Sequence, residues 1–170
     1  MITNIERNFL EIRSINSLLE VPKPSKNIEL NFLEIPNFQL NRFFYKQIGK
    51  KHKWVDRLLW TEKNWMEYLN NKNVKTYILN EKNNPAGYFE QIFHNENEDC
   101  EIAYFGILEE FIGKKYGGYL LTEAIKRSFN FGVNRVWVHT CSLDHRHALK
   151  NYKSRGMKIF KTENVILNSS

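Results

Sequence analysis

The sequence lacks several features that would place it in other classes of protein. It has only two cysteines, Cys100 and Cys141, in 170 residues, so no disulfide framework supports it and we expect a reducing, cytoplasmic setting. A single bridge between the two thiols depends on a geometry that the sequence does not give. Residues 1–20 carry dispersed charges instead of an apolar run, so we expect no secretory signal.

Long hydrophobic runs, repeats and low-complexity linkers are also absent. No stretch reaches the roughly 18 apolar residues that a membrane-spanning helix needs. What is present fits one soluble domain: 42% of residues are hydrophobic and 14% are aromatic, which is too rich for a disordered chain. The formal net charge of +6 suggests a polyanionic partner. We expect no nucleic-acid partner, because the cations are scattered and no recognised binding motif occurs.

The order of elements predicts an α/β (α+β) domain with a mixed, mostly antiparallel sheet. Residues 1–27 are interpreted as an N-terminal lead-in, because Pro22 and Pro24 break regular structure. A single domain follows over residues 28–170, with its first strand at 28–35. Residues 37–72 are largely helical in pattern. Three strands that form an antiparallel meander follow at 74–79, 87–93 and 100–108.

The second half of the chain alternates helices and strands. Residues 116–131 have apolar and polar side chains on opposite sides at the helical period, and Gly132 is a stop signal. Residues 135–141 predict a β-branched, aromatic strand. Ser142 or Asp144 is expected to cap a helix that runs to about residue 155. The last strand is predicted at residues 157–167.

The loop before the predicted helix at 116–131 is the most informative segment. Gly113, Gly117 and Gly118 allow close approach of the backbone to a ligand, and a helix start offers unpaired N–H groups to an anion. Lys114 and Lys115 add positive charge. Glycines also serve ordinary turns, so that interpretation stays open. The spacing matches neither the dinucleotide-binding nor the P-loop motif.

The six residues Ile112-Gly113-Lys114-Lys115-Tyr116-Gly117 resemble the pyrophosphate-binding motif of the GNAT N-acetyltransferase superfamily. Ile112 stands where that motif has Arg or Gln, and Lys115 replaces its middle glycine. Residues 148–157 are similar to a second family segment, A-x-x-x-Y-x-x-x-G-F, and residues 101–107 to the strand that carries a general base. The blocks HTCSLDH and WVDRLLW also resemble a bacterial subgroup of that superfamily.

The resemblance implies a sheet that splits in a V shape between the strands ending near Leu108 and Cys141, with acetyl-CoA as the donor and a primary amine as the acceptor. Glu101 is then the first candidate for the general base and Glu90 the second, while Tyr152 is the general acid. The expected oxyanion donors are the N–H groups of Ile107 and Leu108. The residues expected to bind the donor are Ile107, Leu108, Ile112, Gly113, Lys114, Lys115, Tyr116, Gly117, Gly118, His145 and Ala148.

A dense aromatic cluster before the second predicted strand is expected to form one wall of the acceptor site. Aromatic faces with a carboxylate suit a cationic amine, although core tryptophans with a surface Asp–Arg pair explain the same pattern. The candidate acceptor-binding residues are Trp54, Asp56, Arg57, Glu90, Tyr104 and His139.

Other interpretations of the sequence stay open or are disfavoured. The spacing of His139, Cys141, His145 and His147 suits no standard zinc pattern, so we predict no metal. Cys141 has no sequence feature that would activate it as a nucleophile. A catalytically silent module that binds acyl-CoA is the alternative to an enzyme, and the acceptor and the oligomeric state, including a homodimer, are left open.

Overall fold

The computed structural model describes residues 2–168, which fold around one mixed β-sheet. Seven strands and four α-helices lie within those residues. In chain order they are β1 (Ile2–Ile12), β2 (Ile28–Phe32), α1 (Phe38–Gly49), α2 (Glu62–Leu69), β3 (Val74–Glu81), β4 (Asn84–His94), β5 (Asp99–Ile107), α3 (Tyr116–Asn130), β6 (Arg135–Cys141), α4 (Ala148–Ser154) and β7 (Lys158–Asn168).

The strand order is β2-β3-β4-β5-β6-β1-β7, and neighbours are antiparallel except for β5 and β6, which run parallel. Consecutive strand residues point to opposite faces, and the two faces bury different cores. Leu79 and Phe89 pack with α3 and α4, whereas their neighbours Ile78 and Tyr88 pack with α1. The mixed, mostly antiparallel sheet flanked by helices is as predicted.

The expectation that the first strand begins at residue 28 is wrong. Residues 2–12, assigned above to a lead-in, form β1, which pairs antiparallel with β6 on one side and β7 on the other. Ile5, Leu10 and Ile12 are buried in this strand. The boundary drawn at residue 28 therefore separates two strands of one sheet. Met1 of the predicted lead-in and residues 169–170 of the predicted domain lie outside the residues that the structure describes.

Local signals explain three of the helix ends. Asn37 caps α1 by accepting the N–H of Leu40 at 3.2 Å, and Thr61 forms a capping box with Asn64 at the start of α2. Gly132, at φ +86°, follows α3, as a glycine after a helix commonly does.

The predicted helix after residue 142 begins later, at Ala148. The Asp144 carboxylate does not cap it, because it accepts the Cys141 N–H (3.0 Å) and the Thr140 hydroxyl (2.5 Å) instead. That carboxylate closes a turn at the end of β6.

Candidate active site

The parallel strands β5 and β6 separate part of the way along their length. They pair only at Asp99 with Arg135, Cys100 with Val136 and Glu101 with Trp137, although both strands continue beyond these pairs. The gap opens into a cavity of about 700 Å³, within the range of small-molecule sites. The predicted V-shaped split is thus present, and it lies between the remaining parts of the two strands.

The start of α3 forms one end of this cavity. Lys115, at φ +67°, takes the left-handed conformation that turns the chain into the helix, and Gly113 lies at φ +93°. No side chain caps the first N–H groups of α3, so they remain available as donors at the positive end of the helix dipole. The expected donor-binding residues that line the cavity here are Ile112, Gly113, Lys115, Tyr116, Gly117 and Gly118.

Lys114 does not point its charge into the cavity. Its ammonium lies 2.8 Å from a carboxylate oxygen of Glu81, which also accepts a hydrogen bond from the Tyr116 hydroxyl. These two donors lower the pKa of Glu81. The side-chain contact with phosphate that we expected of Lys114 is therefore replaced by an ion pair between the loop and the end of β3.

At the end of β5, Ile107 and Leu108 differ in what their N–H groups contact. The N–H of Leu108 donates to the carbonyl of Ala86 at 2.8 Å, and its side chain is buried outside the cavity lining. Because successive N–H groups of an extended chain point to opposite edges, the N–H of Ile107 faces the gap. Ile107 lines the cavity. Leu108 is therefore a wrong assignment as an oxyanion donor.

Tyr152 lies in α4 and borders the cavity with 6% of its surface exposed. Burial raises the pKa of its phenol, so the hydroxyl stays protonated near neutral pH. Its ring packs against Phe105 of β5, with the ring centroids 6.2 Å apart. Ala148 and His145, two other predicted donor-binding residues, also line the cavity.

Among the cavity-lining residues that were not predicted as site residues, three form hydrogen bonds between neighbouring elements. The carboxylate of Asp144 accepts a hydrogen bond from the indole N–H of Trp54 at 3.2 Å. His52 donates from Nδ1 to the carbonyl of Leu143 at 3.0 Å, and Asn151 donates to the carbonyl of Gly117 at 3.1 Å. These contacts join α3, α4 and the segment after α1 around one space. Only the HTCSLDH block hinted at them, through Asp144.

The predicted acceptor residues divide into two groups. Four of them, Trp54, Asp56, Tyr104 and His139, line the cavity. Trp54 and Tyr104 meet edge to face with ring centroids 5.0 Å apart. Asp56 and His139 are exposed. This end of the cavity therefore combines aromatic faces with an exposed carboxylate.

Arg57 and Glu90 do not line the cavity, so the prediction that they bind the acceptor is wrong. The Glu90 side chain is 0% exposed and accepts hydrogen bonds from Arg57 (2.9 Å), Tyr68 (2.7 Å) and Asn41 (3.0 Å). Burial alone lowers the pKa of Arg57, but the Glu90 carboxylate outweighs it and raises that pKa. Through these three contacts Glu90 connects β4 to α1, to α2 and to the segment between them.

The aromatic rings near Arg57 pack around its guanidinium group. The guanidinium carbon lies 4.1 Å from the ring centroid of Tyr104, 4.2 Å from that of Tyr68 and 4.6 Å from that of Trp60. Trp65 is buried in the same cluster. Of the tryptophans in this region, Trp54 is the one that reaches the cavity.

Glu101 stands at the narrow end of the split, where it is the last β5 residue paired with β6. It does not belong to the cavity lining. Its carboxylate lies 3.0 Å from Nε2 of His94, and its side chain is 16% exposed. The two candidate bases are thus not brought together in one cleft, because Glu90 is enclosed by α1 and α2.

Within residues 2–168, no three His, Cys, Asp or Glu side chains are grouped to hold a metal ion.

Both cysteines are free thiols, and burial raises the pKa of Cys100 to about 12. None of the helices in the described part of the chain is long and apolar enough to cross a membrane.

Residues 36–157 match the family model described as "Acetyltransferase (GNAT) family". No curated protein is significantly similar to the chain.

Solved structures share the fold at low sequence identity. An aminoglycoside acetyltransferase from an uncultured soil metagenomic sample is 14% identical, with a TM-score of 0.65 over 78% of this chain and 90% of that chain. A GCN5-related N-acetyltransferase from Kribbella flavida is 14% identical, with a TM-score of 0.67 over 97% of this chain and 58% of that one. A GCN5-related N-acetyltransferase from Sphaerobacter thermophilus is 16% identical, with a TM-score of 0.66 over 95% and 50%.

Proposed function

The chain belongs to the acetyltransferase (GNAT) family, and from that premise we propose that it transfers an acetyl group from acetyl-CoA to a primary amine. One observation carries the proposal. A single cavity in the split sheet joins the uncapped start of α3, the phenol of Tyr152 and the aromatic wall at Trp54. Acetyl-CoA supplies the acetyl thioester, and the residues around the cavity supply the rest.

The end of the cavity at the start of α3 has the geometry to bind a ligand that carries phosphate. The first N–H groups of α3 lack a side-chain cap, and Gly113 leaves open space where a Cβ would stand. Backbone N–H groups and the helix dipole both favour an anion at this point. The N–H of Ile107, which faces the gap, is suited to bind the carbonyl oxygen of the acetyl group.

The proposed proton transfers use two residues. An amine with an ordinary pKa of about 10.4 must lose a proton before it attacks, and we propose that Glu101 accepts it through water, since its carboxylate stands beside the cavity and not in it. Tyr152 holds a proton at its phenol oxygen for the departing sulfur. The position of Tyr152 at the cavity supports this role.

The acceptor end supports a small amine that is cationic in solution. Trp54 and Tyr104 present aromatic faces there and Asp56 presents an exposed carboxylate, which together attract an ammonium group. One structural neighbour is an aminoglycoside acetyltransferase solved with sisomicin. Aminoglycosides therefore belong among the candidate acceptors, beside simpler polyamines and amino acids.

The test is release of free thiol from acetyl-CoA in the presence of a panel of amines, with the acetylated product identified by mass. The panel contains aminoglycosides, polyamines, amino acids and peptides, and alcohols of similar size serve as the control for amine specificity. We expect at least one amine to give thiol release above the rate without acceptor. Tight binding of acetyl-CoA with no release for any amine would favour the silent acyl-CoA-binding module instead.

A further inference from the structure

Arg155 lies directly after α4, at the same cavity as the start of α3. Its guanidinium nitrogen Nη1 lies 2.6 Å from the position that a Cβ on Gly118 would take. Only a glycine at position 118 therefore lets the guanidinium rest against the first turn of α3. The Arg155 backbone is fixed by a hydrogen bond of 3.0 Å from the N–H of Leu19 to its carbonyl.

The Arg155 side chain is partly buried, and no carboxylate pairs with its guanidinium within residues 2–168. Its Nε is buried and has no hydrogen-bond acceptor in residues 2–168. Burial lowers the pKa of Arg155, and no carboxylate in that part of the chain offsets the effect. Buried donors are nearly always hydrogen-bonded, so a buried Nε–H without an acceptor is costly. The position thus suits a ligand that brings negative charge.

We propose that Arg155 binds a phosphate group of the CoA donor, together with the N–H groups at the start of α3. The inference rests on the proposed function, since it concerns the same cavity. An arginine fork matches phosphate oxygens with two parallel hydrogen bonds, and the neighbouring helix dipole favours the same charge. The phosphate belongs either to the pyrophosphate or to the ribose 3′-position of CoA, and both offer the same chemistry.

The experiment measures binding by titration calorimetry and needs no acceptor. Wild type, Arg155→Met and Arg155→Lys are titrated with CoA, with dephospho-CoA, which lacks the 3′-phosphate, and with pantetheine, which lacks all phosphates. Lys153→Met is the control, because it removes one positive charge from the same helix at an exposed residue outside the cavity lining. Thermal unfolding of each free variant reports its folding.

We expect Arg155→Met to weaken CoA binding at least about tenfold, the size of one charged hydrogen bond, with pantetheine binding unchanged. Arg155→Lys should recover part of the loss, and Lys153→Met should bind CoA like wild type. If dephospho-CoA binding is unaffected by Arg155→Met, the contact is to the 3′-phosphate, and if it is weakened equally, to the pyrophosphate.

Two results would overturn the assignment of Arg155. One is CoA affinity of Arg155→Met equal to that of wild type, and the other is an equal loss for pantetheine and CoA, which would indicate a general distortion. Failure of the wild type itself to bind CoA would instead reject the proposed function. If Arg155→Met does not fold, Arg155→Lys decides, because it keeps the charge but loses the fork and should bind CoA more weakly than wild type.

Discussion

Replacing Glu90 by glutamine should destabilise the protein strongly without disturbing the donor site. The carboxylate is 0% exposed and accepts three hydrogen bonds, one of them from the guanidinium of Arg57, whose side chain is 5% exposed. Glu90→Gln leaves Arg57 as a buried cation without a counter-charge. Breaking a buried pair from one side costs about 3–5 kcal/mol.

That loss is large beside the roughly 5–15 kcal/mol by which a domain is usually stable. At about 2–4 °C per kcal/mol for a chain of this size, the midpoint of thermal unfolding should fall by roughly 6–20 °C. Urea unfolding of wild type and variant, followed by circular dichroism, gives the difference in free energy. A double variant, Glu90→Gln with Arg57→Met, should recover part of the loss because both charges are removed.

Glu67→Gln is the matched control, because Glu67 pairs with Lys63 at 3.9 Å on the exposed side of α2. It should change the free energy of unfolding by less than about 0.5 kcal/mol. Folded Glu90→Gln should keep wild-type affinity for acetyl-CoA, since Glu90 does not line the cavity. If the free energy of unfolding of Glu90→Gln lies within about 1 kcal/mol of wild type, the buried ion pair does not stabilise the protein as described. If the variant binds acetyl-CoA more weakly, Glu90 is not separate from the donor site.

Three further predictions follow from single residues. Tyr152→Phe should lower kcat by about 10²–10⁴-fold with little change in the Kd for acetyl-CoA, and wild-type turnover would contradict its role as the acid. Gly156→Ala, whose Cβ would lie 2.2 Å from the Ser17 carbonyl oxygen, should cost roughly 2–4 kcal/mol in urea unfolding. Gly132 also has a positive φ, +86°, but a Cβ there would meet no other atom within 4 Å. Gly132→Ala should therefore cost only about 1 kcal/mol. Burial lowers the pKa of His145, so stability should fall as pH drops below about 6.5, where the unfolded chain alone takes up the proton, and His145→Asn should make that slope shallower.

Local patterns in the sequence predicted the second half of the chain well. The helical period of residues 116–131 corresponds to α3, and the β-branched run at 135–141 matches β6. These elements carry their own signals, because one face of each is apolar. The start of α3 with its glycines was predicted for the same reason, together with the family resemblance.

The parts that the sequence did not predict depend on contacts between distant segments. Strand β1 pairs with β6 and β7 near the other end of the chain. Its buried apolar residues Ile5, Leu10 and Ile12 do not follow one simple alternation along the sequence. The burial of Glu90 likewise depends on donors from α1, α2 and the segment between them. No local pattern distinguishes such a carboxylate from one that faces solvent.

Binding of acetyl-CoA to this cavity is measured most simply by the unfolding temperature of the wild type over a range of acetyl-CoA concentrations. A ligand that binds only the native state stabilises it by about 2.7 kcal/mol at a hundred times its Kd. The midpoint should rise steadily with the concentration of acetyl-CoA. An unfolding temperature that does not change at saturating acetyl-CoA would contradict this prediction.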